Sequence, residues 1–117
     1  MKLARGTVVL VELDPTVGHE QRGLRPCVVV SDPAVNDDQR FPVVALVPLT
    51  AVAGEGALYP ELEPGVSGLT KASTALIDHL RSVDKRRVLR VFGHVTPEEL
   101  TAIDQGLALF LGLVEEP

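Results

Sequence analysis

Residues 7–31 read TVVLVELDPTVGHEQRGLRPCVVVS: two β-branched runs separated by a stretch rich in hydrogen-bonding groups. The runs TVVLVEL at 7–13 and CVVVS at 27–31 are bounded by Gly, Pro and Asp, which is the signature of short strands. The connection between them holds Asp14, His19, Glu20, Gln21, Arg22 and Arg25, with Gly18 and Gly23 free to take positive φ. A loop this polar between two core strands either satisfies itself or serves a ligand.

Working outward, PVVALVPLT at 42–50 predicts a third strand that Pro48 bends or places at an edge. The Gly-, Pro- and Glu-rich residues 53–69 predict turns around a short strand near 57–60, and STALI at 73–77 and residues 88–93 predict two more strands. Close turn signals between short strands indicate a small barrel or sandwich, not a parallel sheet. The end of the chain differs. Thr96-Pro97-Glu98-Glu99 is a capping box with proline at the first helical position, and Leu100, Ile103, Leu107, Phe110 and Leu111 follow helical spacing. A helix over 97–111 is expected to pack that face inward and to stop at Gly112, leaving Glu115, Glu116 and Pro117 to fray.

The chain has 117 residues, enough for one domain around one core. It is 45% hydrophobic, yet no apolar run approaches the roughly 20 residues of a membrane span, and Glu12 and Asp14 end the first apolar stretch before any cleavage site. A soluble protein without a membrane anchor is expected. One cysteine, Cys27, cannot form an internal disulfide, and no Cys/His cluster has zinc spacing, which suits a reducing cytoplasm and implies no metal or cofactor. Cys27 reads as a small buried hydrophobe.

The net charge of −5 argues against a general polyanion binder. The distribution is uneven, however: residues 71–90 carry Lys71, Arg81, Lys85, Arg86, Arg87 and Arg90 against Asp78 and Asp84. One local basic surface on an acidic protein follows. Aromatics are scarce, so base stacking depends on Tyr59 or Phe41 being exposed.

In order along the chain stand RGTVVLVELDPT (5–16), GHEQRGLRP (18–26), CVVVSD (27–32), VVALVPLT (43–50), TALIDHLRSVDKRRV (74–88) and GHVTPEEL (93–100). This succession resembles the MazF/PemK toxins of type II toxin-antitoxin modules, which are messenger-RNA-cleaving endoribonucleases. The resemblance spans about a hundred residues in register. It implies a mainly β fold, a small SH3-like β-barrel with a C-terminal helix, as a single domain over 1–117. It also implies a homodimer, a cognate antitoxin, and metal-independent cleavage of single-stranded RNA to a 2′,3′-cyclic phosphate and a 5′-hydroxyl.

By the same resemblance Arg25 and Thr50 correspond to the catalytic pair. The Arg25 fork suits phosphate oxygens, and its permanently charged guanidinium fits stabilisation of transition-state charge better than general-base action. The Thr50 hydroxyl can donate to the phosphate. Glu20 is expected to accept a proton or orient Arg25, and Gln21 to read a base edge. His19 and Arg22 in the loop, with His79, Arg81, Lys85, Arg86 and Arg87, are candidates for contacting RNA. His79 stands where relatives usually carry Gln after Asp. SH3-like barrels host many activities, so a catalytically inactive antitoxin- or nucleic-acid-binding module is the alternative.

Overall fold

Val8, Val9 and Val11 are all wholly buried although Val8 and Val9 are consecutive, which a strand achieves only if both of its faces are covered. The computed structural model, which describes residues 2–114, shows how. Strand β1 (Thr7–Glu12) pairs antiparallel with β2 (Leu24–Val29), and β2 with β3 (Val43–Thr50). Val9, Val11, Cys27, Val29, Val44 and Leu46 form one apolar cluster. Val8, Val28, Val47 and Leu49 join a second one with Ile77, Val95 and Ile103. The single core expected from length is therefore two, one on each side of the central strands, and this explains why the strands read as near-continuous valine runs.

On its far side β3 pairs first with β6 (Arg81–Asp84), from Val43 to Leu46, and then with β5 (Ser73–Ala75), at Leu49 and Thr50. Pro48 falls at the change of partner. Its carbonyl accepts from Leu76 N at 2.9 Å, so its missing N–H lies on that same edge, away from β2. The sheet runs β4-β5-β3-β2-β1-β7 with β6 attached to β3, where β4 is Glu61–Leu62 and β7 is Val88–His94. Register shifts between Val8 and Val9 and between Leu10 and Val11, opposite β7, accompany its curl into a half-barrel.

Helix α2 (Pro97–Phe110) opens as its sequence dictates: Thr96 Oγ1 accepts from Glu99 N at 3.1 Å and Glu99 Oε1 accepts from Thr96 N at 2.9 Å. Ile103 and Gly106 are buried, the latter against Ala57 and Ile77, but Phe110 (44% exposed) and Leu111 (52%) are not. Gly112 takes φ +70° just beyond the end.

Several boundaries differ from expectation. The strand expected near 57–60 is β4, at Glu61–Leu62. The strand over 73–77 stops at Ala75 and yields to a 3-10 turn, Ile77–His79. Strand β2 begins three residues before 27, so Arg25 sits on a strand opposite Val11 and not at the end of a loop. Strand β6, the 3-10 turn Lys85–Arg87 and the short helix α1 (Pro33–Asn36), capped by the Asp32 carboxylate on Ala34 N, were not anticipated. The residues expected to fray, Glu115, Glu116 and Pro117, lie outside the described residues.

Candidate functional site

The 13–23 connection satisfies much of itself. Leu13 N donates to Gly23 O at 2.9 Å to close its base, and Glu20 Oε1 accepts from Val17 N at 3.0 Å. Arg22 Nη2 donates to Gly18 O at 3.4 Å, and Arg25 Nε to Arg22 O at 2.9 Å. Two cations from the basic segment brace its entry: Arg81 Nη1 donates to Leu13 O at 3.2 Å, and Arg87 Nη1 donates to Asp14 O. The loop is thus a braced wall, and it leaves the His19 and Gln21 side chains to line space beside it.

That space is three hollows with shared walls. One of about 300 Å³ is lined by His19, Glu20, Gln21, Asp78, His79 and Arg81. His19, Gln21 and His79 also line a second, of about 450 Å³, with Thr50 and Tyr59. Thr50 continues into a third, of about 210 Å³, with Arg25, Lys71 and Ser73. The groove therefore runs from Arg81 past the two histidines and Thr50 to Arg25, with an exposed guanidinium at its end.

Of the residues singled out in the sequence, Arg25, Thr50, Glu20, His19, Gln21, His79 and Arg81 line this groove. Glu20 does not reach Arg25: its Oε2 lies 3.6 Å from Arg81 Nη1. Arg22 is exposed on the loop, and Arg87 is committed to the backbone at Asp14. Lys85 and Arg86 stand apart, in a hollow of about 630 Å³ with Phe41 and Asp84 beyond the start of β3. There Lys85 Nζ donates to Val35 O and Asp38 O, both at 2.9 Å. Arg86 pairs with Asp84 and, by hydrogen bonding to it, holds that carboxyl down at about 2.

Tyr59, which the sequence offers only for base stacking, and Lys71, which it offers only as part of the basic segment, also line the groove. Tyr59 Oη donates to Asp78 Oδ2 at 2.8 Å, a bond that pushes the phenol's titration up. Its position depends on how residues 51–60 fold over the 3-10 turn, which leaves no local pattern in the sequence. Among the described residues, no three His, Cys, Asp or Glu side chains converge as metal ligands, and no helix is long and apolar enough to cross a membrane.

A family model described as PemK-like, MazF-like toxin of type II toxin-antitoxin system matches residues 4–111. The chain belongs to this family. As a MazF-like toxin it is 27% identical over 115 residues to Endoribonuclease EndoA of Bacillus subtilis (strain 168), covering 98% of this chain and 99% of that relative. Its backbone is similar to the crystal structure of MazF from Deinococcus radiodurans, with a TM-score of 0.83, 26% identity and coverage of 96% and 98% of the two chains. It is also similar to an endoribonuclease in complex with its cognate antitoxin from a mycobacterial species, with a TM-score of 0.78, 26% identity and coverage of 97% and 98%. The mainly β MazF-like fold expected from the sequence is the one observed: a curled antiparallel sheet with one long helix at the C-terminal end.

Proposed function

We propose that this chain is the toxin of a type II toxin-antitoxin module and acts as a sequence-specific endoribonuclease on single-stranded messenger RNA in the cytoplasm. The observation that carries the reading is that Arg25 and Thr50, on different strands, line one hollow at the end of a groove walled by further polar groups. A ribose 2′-hydroxyl attacks the adjacent phosphorus, the P–O5′ bond breaks, and the products are a 2′,3′-cyclic phosphate and a 5′-hydroxyl. The proton lost by the 2′-oxygen leaves to a groove acceptor, and the departing 5′-oxygen gains one.

The transition state concentrates negative charge on the non-bridging oxygens. A guanidinium fork from Arg25 and a hydroxyl from Thr50 meet that charge with charge-assisted donors, a contribution that does not require a metal ion. Arg81 and Lys71 bracket the groove as phosphate-positioning cations, and Gln21, on its wall, reads a base edge. Its structural relatives include an endoribonuclease in complex with its cognate antitoxin, which supports an antitoxin as partner here. We assign the chain a homodimeric state, with the antitoxin covering the groove.

The test is incubation of a long single-stranded RNA with the purified protein in excess EDTA, alongside Arg25→Ala, with end mapping. Cuts recurring at one short sequence, ending in cyclic phosphate and lost in the variant, are expected. Intact RNA at micromolar protein would leave a non-catalytic binding module as the better reading.

A further inference from the structure

The groove contains a feature that phosphate cleavage by Arg25 and Thr50 does not use. Asp78 Oδ2 accepts the Tyr59 hydroxyl at 2.8 Å while its Oδ1 stands 3.8 Å from His79 Nε2. Asp78 is thereby fixed from one side by the phenol and faces the imidazole on the other. His79 itself is anchored by its backbone N–H on Leu76 O at 2.9 Å, at the end of a 3-10 turn whose first residue, Ile77, is fully buried. Its ring lies in the wall shared by the two larger chambers of the groove, with 23% of the side chain exposed.

We propose that His79, positioned by Asp78 and Tyr59, is a titratable cation of the RNA-binding groove, so that affinity for single-stranded RNA rises as the imidazole protonates. The inference rests on the groove being the RNA site, and it adds a pH dependence to it. Imidazole is the side chain whose charge ordinarily changes between about pH 5 and 8. The charged and titratable groups around His79 are Asp78 on its own turn, His19 and Glu20 on the 13–23 loop, Arg81 on β6, and Glu55 and Tyr59 on the 51–60 segment. Glu20 and Arg81 face each other at 3.6 Å, and Asp78 and Glu55 are the remaining acidic groups of these chambers. A permanently neutral side chain at this position could contact RNA but could not change its charge.

The experiment measures binding of a short, randomised pool of 2′-O-methylated single-stranded RNA, which has no free 2′-hydroxyl to attack, as a function of salt at about pH 5.5 and about pH 8. One extra neutralised phosphate steepens the slope of log K against log salt by about 0.7 on a single strand. The wild type is expected to show that steepening at the lower pH, and His79→Gln to lose it. His79→Lys should be steep at both pH values. Asp78→Asn keeps an acceptor for Tyr59 but removes the charge beside the ring, so it should shrink the difference; a merely structural role would lower affinity equally at both pH values. The proposal is overturned if the wild-type slope does not change, or if the change survives in His79→Gln and disappears in His19→Gln. Because the pool cannot be cut, a failed cleavage assay with an intact slope change would sink the nuclease reading alone.

Discussion

Glu20 turns its carboxylate to Arg81, 3.6 Å away, and leaves Arg25 to donate to the backbone of Arg22. The two guanidiniums of the groove are therefore held differently. Arg81 is half-neutralised at one end, while Arg25 has no carboxylate ion-pair partner among the described residues. Exposed ion pairs of this kind contribute about 0–1 kcal/mol, so Glu20 matters through the charge it presents to a ligand more than through stability.

Glu20→Gln should accordingly raise RNA affinity at low salt while leaving the melting temperature unchanged. Arg81→Ala should lower affinity and flatten the salt slope by about 0.7, the amount expected for one lost phosphate contact on a single strand. Anisotropy titrations across a salt series check both. An unchanged salt slope in Arg81→Ala would show that its charge is spent on holding the Leu13 carbonyl and the loop, and not on RNA.

Lys85 is a candidate RNA contact by its place in the basic segment, yet its ammonium bridges Val35 O and Asp38 O and so ties the start of the 3-10 turn Lys85–Arg87 to the end of α1. Lys85→Met keeps the aliphatic stem and removes the donors. Hydrogen bonds from charged groups are worth about 1.5–3 kcal/mol, so the variant should lose stability on that order in urea unfolding. Its RNA affinity and salt slope should match the wild type.

Gly106 explains how α2 is seated on the turn that carries Asp78 and His79. A Cβ at this position would lie 2.7 Å from Ala57 O and 3.0 Å from Ile77 Cγ1. Elsewhere in a helix, Gly→Ala stabilises by about 1 kcal/mol. Here overpacking reverses the sign, and Gly106→Ala should destabilise by about 1–3 kcal/mol, with a fall in melting temperature of several degrees. Gln105→Ala, one residue away and exposed, is the control and should not melt lower.

These residues also mark where the sequence was legible. The valine runs of β1 and β3 and the capping box of α2 are local signals, and each became the element expected. Strand β6 was hidden because RSVD offers a single buried residue, Val83, within a segment that reads as solvated charge. The early start of β2 was hidden because Leu24, Arg25 and Pro26 have no strand pattern; they extend because Glu12, Val11 and Leu10 are there to pair with them. Phe110 and Leu111 keep helical spacing yet stay exposed, and periodicity alone does not report where the partner surface ends. At the site, Arg25 and Thr50 could be named from motif resemblance. The Tyr59–Asp78–His79 arrangement could not, since it joins residues 19 to 20 positions apart through tertiary folding.

Cys27 offers a probe of global opening. It is fully buried opposite Val9 and Pro48, and burial pushes its thiol up to about 12, only partly offset by the charge of Arg81. An unfolded thiol titrates near about 8.5. Above that pH the unfolded chain releases a proton that the folded chain keeps, so the unfolded state binds fewer protons and stability falls as pH rises. The contribution is fully present below about pH 8.5 and is lost by about 1.4 kcal/mol per pH unit as pH climbs toward about 12. Cys27→Ala should remove this alkaline component, at a cost of its own near neutrality from the space it leaves in the core. At pH 8 the native thiol is protonated and shielded, so a thiol-reactive dye should label it only through unfolding, faster in Gly106→Ala than in the wild type and in step with urea. Rapid labelling of the folded protein at pH 8, independent of urea, would mean that the sheet opens locally at β2 without unfolding, and would move the weak point of the fold to the strand that carries Arg25.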